Sequence, residues 1–79
     1  MENKLEESKQ SLVNIAFAML SKDKKVIKQN KSETLAYKDI EWKHYESYDD
    51  MLCAVFVMHT NKGLFLFKVG GKNMSYTPL

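Results

Sequence analysis

The stretch "MLCAVFVMHTNKGLFLFKVGG", Met51 to Gly71, decides the fold of this chain. Eight of its first nine residues are apolar, and His59 and Thr60 close the run before Asn61-Lys62-Gly63. Runs of this length, rich in β-branched and aromatic residues and bounded by turn residues, read as strands. "TNKG" predicts a hairpin, with a type I turn and Gly63 in the left-handed position as a bulge. Leu64 to Val69 is then a second strand, and Gly70-Gly71-Lys72-Asn73 turns the chain again. Met74 to Thr77 adds a short edge strand ended by Pro78.

Upstream of Met51, Ile40, Trp42 and His44 alternate with Glu41, Lys43 and Tyr45, the period-two signal of a half-buried strand. Asp49-Asp50 reads as a tight turn between it and the apolar run. A two-residue loop there pairs Glu46 with Cys53 and Trp42 with Val57. The Gly63 bulge pairs Thr60 with Leu64, Met58 with Leu66 and Val57 with Phe67. Paired residues share a sheet face. One face then carries Ile40, Trp42, His44, Val55, Val57, Phe65, Phe67 and Val69. The other carries Tyr45, Leu52, Phe56, Met58, Leu64 and Leu66.

Glu2 to Ser21 has helical spacing. Leu5, Leu12, Ala16 and Met19 form a stripe that Val13, Phe17 and Leu20 widen. Glutamates gather in the first turns, where the helix dipole favours negative charge. The expected architecture is α+β: one N-terminal amphipathic helix packed on a three- to four-stranded antiparallel meander. A single domain spans 1–79, with the helix at about 2–21, a lysine-rich connection at 22–34 and strands at about 35–77. Within the connection, periodicity does not separate helix, strand and loop.

One helix covers one sheet face, and the Trp42 face is its natural seat. The other would expose roughly 300–500 Å² of apolar surface, at or beyond the largest patch of an ordinary monomer. Either the chain's own connection or tail folds over it, or another chain does. The expectation is association: a homodimer or a protein partner held through Tyr45, Leu52, Phe56, Met58, Leu64 and Leu66.

Composition narrows the alternatives. With 79 residues, 44% hydrophobic and 28% charged, the chain is of ordinary globular type. All twelve basic residues are lysine, which disfavours sequence-specific DNA recognition by bidentate arginine. Lys22, Lys24, Lys25, Lys28 and Lys31 nevertheless form a cluster suited to loose phosphate binding, the basis of an alternative RNA- or single-strand-binding function. The apolar segment Leu12–Leu20 is too short to span a bilayer, so no membrane role is expected. A single cysteine, Cys53, fits a reducing cytoplasm.

Catalysis is not expected. Cys53 and His59 lie six positions apart on one strand, beyond the reach of a dyad. His44 falls one pair along from Cys53 on the neighbouring strand, with Glu46 opposite the thiol. Two histidines and one cysteine without CxxC or HxxxH spacing do not make a zinc site, and no cofactor is implied. The leading functional reading is a small non-enzymatic interaction or regulatory module acting through an apolar sheet face.

Overall fold

A computed structural model describes residues 2–28, 34–47, 51–71 and 73–79, with residues 2–7 described by their backbone alone. The chain divides into two compact units, Met1–Ser32 and Glu33–Leu79. The class is α+β, with an N-terminal helix and a four-stranded antiparallel sheet.

The first unit holds α1 (Glu2–Lys22) and α2 (Lys24–Lys28). Leu12, Val13, Ala16 and Leu20 are buried, on the stripe that the spacing predicts, while Ile15 stays half exposed. The lysine-rich connection is therefore helical over Lys24–Lys28. Asp23 makes the break: its Oδ1 accepts the Lys25 amide at 2.9 Å, and its carbonyl accepts the Ile27 amide at 3.1 Å. That is an N-cap, which starts a new helix where α1 ends. Capping sets the phase, so Val26 is the buried residue of α2 and Ile27 faces out.

The second unit is the sheet, with strands β1 (Tyr37–Ser47), β2 (Leu52–Thr60), β3 (Gly63–Gly70) and β4 (Asn73–Pro78) in sequential order. The expected Asp49-Asp50 turn lies outside the described residues. Beyond it, Glu46 pairs with Cys53 and His44 with Val55, the predicted register. The register then shifts between Trp42 and His44, with Lys43 as the extra residue, so Trp42 faces Phe56 and not Val57. A second shift, at Lys38, separates Tyr37 from Asp39. Both are bulges, which put two residues of one strand opposite one of its partner.

The β2–β3 hairpin also differs from expectation. It closes at Thr60–Gly63 over the two residues Asn61 and Lys62, not at Thr60–Leu64. Gly63 does hold a positive φ, +117°, a conformation that residues with a Cβ rarely adopt. The Thr60 hydroxyl fixes the tighter loop: it accepts the Lys62 amide at 3.1 Å and donates to the Gly63 carbonyl at 2.6 Å. Met58 consequently pairs with Phe65 and Val57 with Leu66, one residue off the predicted alignment.

A one-residue slip moves every side chain of a strand to the other face. The corrected faces differ sharply. Ile40, Trp42, Tyr45, Leu52, Ala54, Phe56, Met58, Phe65, Phe67, Val69, Met74 and Tyr76 share one, the aromatic face. The mixed face carries Val55, Val57, Leu64 and Leu66 among Asp39, Glu41, His44, Glu46, Cys53, His59 and Lys68.

Candidate interaction face

An aromatic row crosses the whole sheet, one ring per strand. Trp42 and Phe56 have centroids 4.7 Å apart, Phe56 and Phe67 stack at 5.1 Å with planes 11° apart, and Phe67 meets Tyr76 at 5.3 Å. Tyr45 adds an edge-to-face contact with Trp42 at 5.8 Å. The bulge at Lys43 makes this possible, because it returns Tyr45 to the Trp42 face three positions later. Phe56, Met58 and Phe67 are wholly buried. Their chemistry is packing.

The mixed face is more open. Val57 is buried, but Val55, Cys53 and Leu66 are only half-buried and Leu64 is 40% exposed. These apolar side chains form a strip on the two central strands, rimmed by both histidines. His44 Nε2 lies 3.3 Å from Glu46 Oε1, and His59 Nε2 lies 3.4 Å from Glu41 Oε1. The other Glu41 oxygen pairs with Lys43 Nζ. That lysine contact, and behind it the His59 ring, holds the Glu41 carboxyl below its ordinary value.

The six residues expected at an interface therefore do not lie together. Tyr45, Leu52, Phe56 and Met58 belong to the aromatic face, and only Leu64 and Leu66 belong to the mixed one. Val55 and Val57 join that strip, with Glu41, His44, Glu46 and His59 around it. Alternation on β2 could not have selected them, because this strand is apolar on both sides. A register chosen to gather the aromatic residues onto one face would have.

The geometry around Cys53 is the predicted one: Glu46 is its cross-strand partner, and His44 sits one pair along. Among the described residues, no group of three or more His, Cys, Asp or Glu side chains could hold a metal ion. Lys22, Lys24, Lys25 and Lys28 are all exposed, and Lys31 lies outside the described residues. No helix among the described residues is long and apolar enough to cross a membrane.

At the hairpin tip, Asn61 clasps the segment leading into β1. Its amide donates to the Ala36 carbonyl at 3.0 Å, its Oδ1 accepts the Ala36 amide at 3.0 Å, and its Nδ2 donates to the Thr34 carbonyl at 2.8 Å. A hollow of about 250 Å³ opens beside it, lined by Ala36, Tyr37, Lys38, Thr60 and Asn61. The polar side chain of Thr60 is engaged in the turn, and that of Asn61 in the clasp on Thr34 and Ala36. The chain matches no family model, no curated protein and no solved structure, so its function is argued from its own residues.

Proposed function

We propose that this protein is a small non-enzymatic interaction module that self-associates through the mixed sheet face. One observation carries the reading. On the aromatic face the central side chains are wholly buried, whereas on the mixed face Val55, Leu64 and Leu66 remain open to solvent around a buried Val57. Apolar strips with a polar rim are the usual anatomy of a protein contact. The rim supports a second copy as the occupant. Asp39, Glu41 and Glu46 line the β1 side of the face, and Lys68 stands on β3. A two-fold axis along the strands lays β1 of one copy over β4 of the other, whose side chains from Asn73 to Leu79 are uncharged, so the β1 acids meet no like charge. The single thiol, Cys53, is in keeping with a cytoplasmic setting.

Solution mass tests this reading. Leu66→Lys should lower the mass by abolishing assembly through this face while the fold persists, because the strip must be desolvated on association. A wild-type chain that stays monomeric at high concentration, or a Leu66→Lys variant that still assembles through this face, defeats it.

A second reading rests on a separate surface. Lys22, Lys24, Lys25 and Lys28 are exposed around α2, and the one acid among them, Asp23, is engaged as its cap. Such a cluster suits a phosphate backbone of RNA or single-stranded DNA. If it binds, affinity should fall steeply with salt, and absence of binding at low salt eliminates it.

A further inference from the structure

We draw no further inference here: the strongest candidate, the two histidine–carboxylate pairs His44–Glu46 and His59–Glu41 on the mixed sheet face, belongs to the interaction face already described and, among the described residues, gains no third side chain able to complete a metal site.

Discussion

The two faces of one sheet are built from the same four strands yet are organised differently. On the aromatic face, Trp42, Phe56, Phe67 and Tyr76 stand in one cross-strand row, and the two central rings are wholly buried. On the mixed face, the matching row one pair along is Glu41, Val57, Leu66 and Thr77, apolar only on its central strands. Hydrophobic content does not separate the faces along β2 itself, since Cys53, Val55 and Val57 alternate with Ala54, Phe56 and Met58. What separates them is what the neighbouring strands bring to each row. The difference therefore rests on register, and register rests on a bulge at Lys43 and a hydroxyl at Thr60.

The comparison is most sharply broken by truncating the aromatic row. Phe67→Ala should cost about 3–5 kcal/mol, because a fully buried ring leaves a cavity that the sheet cannot close. In a domain whose total stability is of order 5–15 kcal/mol, that loss threatens folding altogether. Leu66→Ala, one residue away on the other face, should cost about 1 kcal/mol, since the side chain is half-solvated already. Denaturant unfolding of both variants checks the contrast, and equal losses would mean that the faces are not unlike. Met58→Lys belongs with Phe67→Ala: Met58 is wholly buried, so the charge should unfold the subunit and not simply dissociate an assembly.

A smaller effect is expected at the turn that sets the register. Thr60→Val keeps the shape of the side chain and removes the hydroxyl that joins the Lys62 amide to the Gly63 carbonyl. Loss of these part-buried bonds should cost about 1–2 kcal/mol. The same measurement on Asn61→Ala should give about 0.5–1.5 kcal/mol, as its bonds to Thr34 and Ala36 are exposed. If Thr60→Val leaves the unfolding midpoint unchanged, the hydroxyl does not fix the two-residue loop.

These turn contacts also explain what could be read in the sequence. The helix was legible because Leu12, Val13, Ala16 and Leu20 repeat at helical spacing. The strands and their order were legible because the apolar runs are bounded by Gly, Asn and Asp. The Glu46–Cys53 register followed from reading Asp49-Asp50 as a two-residue turn. Past Lys43 the pairing failed, because nothing in the alternation of "IEWKHYE" marks a bulge: Trp42 and Tyr45 are three apart, and a regular strand sends them to opposite faces. At "TNKG", two- and three-residue loops both satisfy the glycine. The choice lies in a side-chain hydrogen bond of Thr60, which local composition does not reveal. The six residues expected at an interface are divided between the faces for that reason, four on the aromatic face and two on the mixed one.

The smallest effect concerns the rim of the mixed face. Glu41 is held below its ordinary value first by its hydrogen bond with Lys43, then by that with His59, and then by the lysine's charge. A carboxyl whose value is depressed by folding stabilises the folded state above its unfolded value, and that contribution is lost as pH falls through the folded one. Wild-type protein should therefore be slightly more stable than Glu41→Gln at neutral pH, by a margin that salt reduces, since the groups are exposed. The margin should close as the solution is acidified below the ordinary carboxylate range, where both side chains are neutral. Lys43→Ala should raise the Glu41 titration midpoint more than His59→Ala does, because the lysine is the larger cause. Following the Glu41 carboxyl by NMR in the three proteins, beside unfolding midpoints at each pH, supplies both readouts. A margin that widens on acidification would reverse the sign and remove the Glu41–Lys43 pair from any part in stabilising the rim.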